Sequence, residues 1–155
     1  MKEHYLLVQK INFNQLKNKS NSLSFGLLKT KLPLILVLVV DNHLCFLLDT
    51  GATNNLIDHR VYEYLKGHFE ELNEGAMIGI DGTKKSTPKI KLSFTFEGQD
   101  YSPIFHVFDS SKAFDVIEKE SGIQIHGILG SLFFLEHGWI IDFEKKVVIL
   151  DSNPQ

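Results

Sequence analysis

The clearest periodic signal in the chain lies between Ile90 and Phe96. Ile90, Leu92, Phe94 and Phe96 are apolar, and Lys91, Ser93 and Thr95 between them are polar. Alternation of period two places one face on a core and the other in water, so it predicts a half-buried strand. Earlier, Leu34 to Val40 is an unbroken run of mostly branched apolar residues between Pro33 and Asp41-Asn42. Its length and β-branched content predict a fully buried strand. Asp41-Asn42-His43 has turn chemistry, so Leu44 to Leu48 reads as the returning strand of a hairpin. Residues 56, 57, 61, 64 and 65 are apolar at helical spacing, which predicts a short helix from Leu56 to Leu65 ending near Gly67.

The remainder follows the same logic. Asp81-Gly82, inside Met77 to Thr83, is a strong hairpin-turn dipeptide. Glu97-Gly98-Gln99 turns the chain, and Tyr101 to Phe108 is a further strand. Ser110 to Glu120 predicts a surface helix, capped by Ser110 or Ser111 and stopped by Gly122. Ile125 to Leu129 is apolar and ends at Gly130, and Leu132 to His137 predicts a helix closed by Gly138. Trp139 to Phe143 and Val147 to Leu150 flank Glu144-Lys145-Lys146 as a last hairpin. Residues 1–30, Asn-, Lys- and Ser-rich from Asn12 to Ser24, lack clear periodicity and form an N-terminal arm, with an early strand at Tyr5 to Val8. The expectation is a mostly β domain over residues 31–155, with short helices.

Composition narrows the function classes. At 155 residues and 43% apolar, the chain holds one domain with a real core. Sixteen basic and 19 acidic residues leave a net charge of −3, which offers nothing to a nucleic-acid partner. The single cysteine, Cys45, excludes an internal disulfide framework and lies in an apolar run, where it reads as a small buried hydrophobe. The N-terminus has no signal-peptide pattern, and the longest apolar run, Leu34 to Val40, is far below the roughly 20 residues of a membrane-spanning helix. A cytoplasmic protein without membrane attachment is expected. The seven histidines show no His-Glu-x-x-His spacing, and no metal or organic cofactor is expected. Ser131 lacks a Gly-x-Ser-x-Gly elbow, so a serine nucleophile is not indicated. His126 stands out only by its place just before Gly127 to Gly130.

The chemistry concentrates at Phe46-Leu47-Leu48-Asp49-Thr50-Gly51-Ala52-Thr53. An apolar strand runs directly into a carboxylate, and an ionised carboxylate beside a core is costly without a partner. Two such groups brought together share one proton, because like charges in contact cannot both ionise. The pair then offers one acid and one base from identical residues. A second segment, Gly127-Ile128-Leu129-Gly130-Ser131, follows about eighty residues later, an apolar strand ending in a glycine that opens a helix.

Taken together, in this order, these segments resemble the retropepsin-like aspartic proteases, single-domain members of the Asp-Thr-Gly-Ala type. The likeness spans about residues 32–150: Leu47 to Thr53, the glycine-bearing Ile78-Gly79-Ile80-Asp81-Gly82, Ile128-Leu129-Gly130, and the closing His137 to Phe143. The resemblance implies a retropepsin-like closed β-barrel. It implies that Asp49 is the catalytic acid, that Thr50 ties the two active-site loops together across a dimer, and that Gly51 offers its N–H to the carboxylate. Ala52, Gly79, Ile80, Asp81, Gly82, Ile128, Leu129 and Gly130 would contact substrate, the glycine hairpin as a flap and the last three as an apolar floor. Only one Asp-Thr-Gly is present, so a two-carboxylate site needs a second copy of the chain. The reading is therefore a homodimeric aspartic endopeptidase acting on peptide or protein substrates. The alternative is a catalytically silent module of the same fold that binds peptides or only dimerises. A plain structural β-domain is a third possibility.

Overall fold

A computed structural model describes residues 22–78, 82 and 84–150. The expected early strand at Tyr5 to Val8 lies outside the described residues. Helix α1 (Ser22–Thr30) leads into the hairpin of β1 (Leu34–Val39) and β2 (Asn42–Leu48). Strand β3 (Asn55–Asp58) and helix α2 (His59–Tyr64) follow, then the long hairpin of β4 (Glu70–Ile78) and β5 (Lys84–Lys91). Strands β6 (Phe94–Phe96), β7 (Gln99–Tyr101) and β8 (Ile104–Phe108) precede helix α3 (Ser111–Ser121). The chain closes with β9 (Gly127–Leu129), helix α4 (Ser131–His137), β10 (Ile140–Asp142) and β11 (Val147–Ile149).

Nine of the strands form one sheet in the order β4-β5-β8-β3-β9-β2-β1-β6-β7, curled into a half-barrel; β10 and β11 pair separately. The fold is mostly β, of the retropepsin-like kind, with short helices. Strands β1 and β2 explain their own apolar runs because both of their faces are covered. Ile35, Val37, Val39, Leu44, Phe46 and Leu48 enter the main core, where Phe46 meets Phe94 edge-on at 5.6 Å. Leu34, Leu36, Cys45 and Leu47 face a second cluster with Phe114 of α3, Ile123 and Ile125. Burial pushes the Cys45 thiol pKa up, so it stays protonated and inert. Helix α1 lies within the expected arm yet packs on β1: Leu23 is fully buried. A Cβ at Gly26 would stand 2.8 Å from Cβ of Leu34.

Several elements differ from their sequence patterns. The predicted helix from Leu56 to Leu65 is split, because residues 55–58 pair with β8 on one side and, at Leu56 and Ile57, with β9 on the other. Ladder bonds on both sides outweigh local helical spacing, and only His59 to Tyr64 coils. The run Ile90 to Phe96 is two strands, not one. The alternation held, since Ile90, Leu92, Phe94 and Phe96 are all buried, but the chain passes from β8 to β1 between Lys91 and Phe94. Ser102-Pro103 likewise divides the predicted strand at Tyr101 to Phe108, since proline cannot donate to a ladder. The first hairpin turns at Val40-Asp41, with Val40 at φ 54°, so Asn42 and His43 belong to β2. The helix terminators acted as expected: Gly122 and Gly138 cap α3 and α4 in the left-handed conformation, at φ 77° and 65°.

Candidate active site

Three short strands build the site. Strand β9 lies between β2, to which it is parallel (Phe46 beside Gly127, Leu48 beside Leu129), and β3, to which it is antiparallel (Leu56 beside Ile128). Residues 49–54 connect β2 to β3, so this loop must arch over the end of β9, where the chain leaves for α4. Four hydrogen bonds fasten the arch. Asp49 N–H donates to the Leu129 carbonyl at 2.9 Å, Ser131 N–H to Ala52 O at 2.7 Å, and Leu132 N–H to Thr53 O at 3.2 Å. Gly130 N–H donates to Asn55 Oδ1 at 2.9 Å, while Asn55 Nδ2 donates to Ile104 O at 3.0 Å. Each is worth about 1 kcal/mol net.

Gly130 is required by space. Its φ of −100° and ψ of −177° are open to any residue, but a Cβ there would lie 2.6 Å from Asn54 O, 2.7 Å from Ala52 O and 2.9 Å from Thr53 O. Gly127 is similar, with Leu56 O at 2.7 Å. These contacts explain in physical terms why an apolar strand between glycines precedes the helix.

The arch presents Asp49 at its start. The carboxylate is half-buried, Thr50 and Gly51 are exposed, and Asp49 Oδ1 accepts a hydrogen bond from Gly51 N–H at 2.9 Å. Ala52 N–H closes the turn onto Asp49 O at 3.1 Å. Asp49 makes no ion pair among the described residues. The carboxylate is thus held by one backbone donor, Gly51 N–H, and is partly exposed.

Of the residues singled out in the sequence, Asp49, Thr50, Gly51 and Ala52 form one turn, and Leu129 and Gly130 lie directly beneath it, with Ile128 one pair farther along β9. The expected flap falls on the β4–β5 hairpin, whose last pairing is Ile78 with Lys84. Gly79, Ile80 and Asp81 lie outside the described residues. Gly82 is exposed at φ 82° with nothing within 4 Å of its Cβ position, a glycine kept for conformation and not for space.

Two supporting groups carried little signal in the sequence. Asn55 bridges Gly130 and the start of β8, but nothing separates it from Asn54 in the linear text. His126 is fully buried. Its Nδ1 accepts from Cys45 N–H at 2.9 Å, its own N–H donates to Cys45 O at 2.9 Å, and its carbonyl accepts from Asp58 N–H at 2.9 Å. The residue therefore ties β2 to β3 just below the arch. Burial, helped by the nearby Arg60 charge, lowers its pKa to about 3, so the ring is neutral at ordinary pH.

A polar cluster lies at the end of β3, where α2 begins. Asp58, with no exposed side-chain surface, accepts from Arg60 Nε at 2.7 Å, and Arg60 Nη1 also reaches Asp115 of α3 at 3.0 Å. His59 and Asp109 stand near enough that one ligand atom from each, with one from Asp58, lies within 4.8 Å of the others. Asp58 is already engaged by Arg60, and such acidic groupings commonly hold no ion.

A groove of about 680 Å³ adjoins the arch. Its walls are β4, β5 and β8 on one side and α4 on the other, with Asn54 and Asn55 at the end nearest the loop. Among the described residues, no helix is long and apolar enough to cross a membrane.

No family model and no curated protein sequence matches this chain. Among solved structures it is similar to the retroviral protease-like domain of Ddi1 from Leishmania major. That likeness has a TM-score of 0.56 at 15% identity and covers 77% of this chain and 87% of that one. A looser likeness, TM-score 0.49 at 22% identity over 68% of this chain and 86% of the other, is to EIAV protease complexed with the inhibitor HBY-793, and it carries no argument. The likeness to the Ddi1 domain concerns architecture alone: the chain has a retropepsin-like fold.

Proposed function

We propose that this protein is an aspartic endopeptidase that works as a homodimer. The observation that carries the reading is the Asp49 turn. A carboxylate at the end of a buried strand is oriented by Gly51 N–H, free of any ion pair among the described residues, and held on an arch pinned to Leu129, Gly130 and Ser131. This is far more support than an ordinary surface turn needs.

The chemistry follows from pairing two such turns. One carboxylate, ionised, takes a proton from a water held between the pair; the other, protonated, donates a hydrogen bond to the substrate carbonyl oxygen. Water oxygen bonds to the carbonyl carbon as the protonated carboxyl gives its proton to the carbonyl oxygen, so a tetrahedral diol forms and the pair keeps the one proton taken from water. Collapse breaks the C–N bond: that carboxyl proton passes to the leaving nitrogen, and a diol hydroxyl returns its proton to the other carboxylate, leaving one proton on the pair. Residues 1–155 carry a single Asp-Thr-Gly, so the second carboxylate comes from a second copy. Exposed Thr50 fits a place near a two-fold axis, where like meets like. The paired Ile140 and Ile149 of the β10–β11 hairpin are exposed and offer an apolar surface for that contact.

The test is turnover of casein or a peptide library between pH 4 and 6, run beside Asp49→Asn. Cleavage that vanishes in the variant supports the reading. Equal cleavage by both proteins refutes it.

A further inference from the structure

The groove beside the arch is lined by a lysine, Lys89, that is held in no ion pair among the described residues. Lys89 on β5 stands between Leu72 of β4 and His106 of β8, its cross-strand partners. Lys91, the next residue on that face, has Glu70 opposite it. The Lys89 position therefore has no carboxylate neighbour across either strand.

His106 adds a second, independent mark. Its side chain is buried, with 9% exposure, and it lines the groove. Its Nδ1 lies 3.0 Å from Thr87 Oγ1, itself buried. That contact leaves Nε2 as the ring nitrogen available to the groove. In the tautomer in which Thr87 donates to Nδ1, Nε2 carries the hydrogen and can donate. Burial and the Lys89 charge hold this imidazole below the ordinary histidine range, so it serves as a neutral donor near pH 7.

A lysine ammonium beside a buried imidazole N–H suits a single carboxylate. Exposed Glu70 and Glu136 also line the groove and repel any anion, a dianionic phosphate about twice as strongly as a singly charged carboxylate, so the carboxylate is the better match for one lysine. The groove also begins where the site ends. One end is lined by Asn54, the last residue of the arch, and Asn55, the first of β3, together with Leu132, two residues past Gly130. We propose that this groove seats an acidic side chain of an extended peptide substrate, with its carboxylate between Lys89 Nζ and His106 Nε2, some residues away from the scissile bond. The inference rests on the peptidase reading for the word substrate, and on the groove alone for the acidic preference.

The experiment separates the two. Fluorescently labelled, C-terminally amidated peptides, paired as Glu against Gln at each position in turn, are titrated into the Asp49→Asn protein and followed by anisotropy. At one position the Glu peptide is expected to bind about tenfold tighter, the worth of one charge-assisted contact. Lys89→Met should erase that advantage and Lys91→Met should reduce it less. Lys89→Glu should reverse it in favour of a Lys peptide. With wild-type protein, kcat/KM should show the same preference. Equal binding of Glu and Gln peptides at every position overturns the proposal, as does an advantage that survives Lys89→Met. A Glu preference in binding with no cleavage by the wild type leaves the acidic-peptide groove standing and removes the peptidase.

Discussion

Replacing Gly130 with alanine tests the construction of the site more directly than any other single change. Alanine accepts the local backbone conformation, φ −100° and ψ −177°, without strain. The whole effect must therefore come from the added methyl. It would stand 2.6, 2.7 and 2.9 Å from the carbonyl oxygens of Asn54, Ala52 and Thr53, where contact distances of about 3.4 Å or more are comfortable. These are backbone atoms and cannot swing aside as a side chain can. The arch must lift by several tenths of an ångström, against bonds at 2.7, 2.9 and 3.2 Å that tie it to Ser131, Gly130 and Leu132. Overpacking costs about 1–3 kcal/mol, and weakening three bonds worth about 1 kcal/mol each adds a comparable amount. The sum is about 3–5 kcal/mol, a large share of the roughly 5–15 kcal/mol that holds a domain folded. For a chain of 155 residues, at about 2–4 °C per kcal/mol, Tm should fall by roughly 10 °C. The assay is thermal unfolding followed by circular dichroism, with peptide turnover measured well below the new midpoint. Turnover should be lost even where the variant is folded, because Asp49 N–H shares Leu129 O with the same crossing. Gly67→Ala is the control: its φ of 91° strains alanine, but nothing lies within 4 Å, so about 1 kcal/mol of stability and no activity should be lost. A Gly130→Ala protein melting within about 2 °C of wild type, with normal turnover, would show that the arch does not rest on Gly130 as described.

Further expectations concern other parts of the molecule. Asp49→Asn preserves the acceptor for Gly51 N–H, so Tm should hardly move while turnover falls at least about 100-fold, the lower range for loss of a general acid–base group; normal turnover in purified variant would remove Asp49 from the chemistry. Specific activity should drop faster than linearly on dilution and follow a bell in pH set by the carboxylate pair, checked by sedimentation beside dilution kinetics; a fully active monomer would refute the shared site. Arg60→Met removes the guanidinium bonded to the buried Asp58 carboxylate and should cost about 3 kcal/mol in urea unfolding, whereas an unchanged midpoint would place that pair outside the stability of the fold. His126, neutral in the fold with its pKa lowered to about 3, takes up a proton readily when unfolded, so stability should fall as pH drops from about 6.5 towards 3. At pH 5 that amounts to about 2 kcal/mol. His126→Asn retains an acceptor and should flatten this acid slope; an identical slope in the variant would assign it to other groups.

The linear text carried a great deal of this structure. The apolar runs at Leu34 to Val39 and Leu44 to Leu48 named their strands, because covering both faces leaves no place for polar residues on either. The alternation from Ile90 to Phe96 named every buried residue in that stretch. Glycines at 122 and 138 marked helix ends, since the left-handed conformation there is costly for other residues. Asp49-Thr50-Gly51 drew attention because a carboxylate directly after a core strand has few bland explanations. What stayed hidden was decided by contacts between segments far apart in sequence. Leu56 to Asp58 reads as a helix until β8 and β9, about fifty and seventy residues later, supply ladders on both sides. The turn between Ile90 and Phe96 and the break at Ser102 depend on which strand lies alongside, and period two says nothing of partners. Helix α1 is too short and weakly patterned to declare itself, and it is held by burial of Leu23 against β1. Asn55 and His126 acquire their roles only because the β2–β9–β3 crossing sets an unpaired N–H, of Gly130 or Cys45, within about 3 Å of each. The sequence states which residues must be buried and where the backbone must bend. Only the fold decides which distant donors and acceptors meet, because a hydrogen bond is fixed by position to a few tenths of an ångström and no residue carries that position alone.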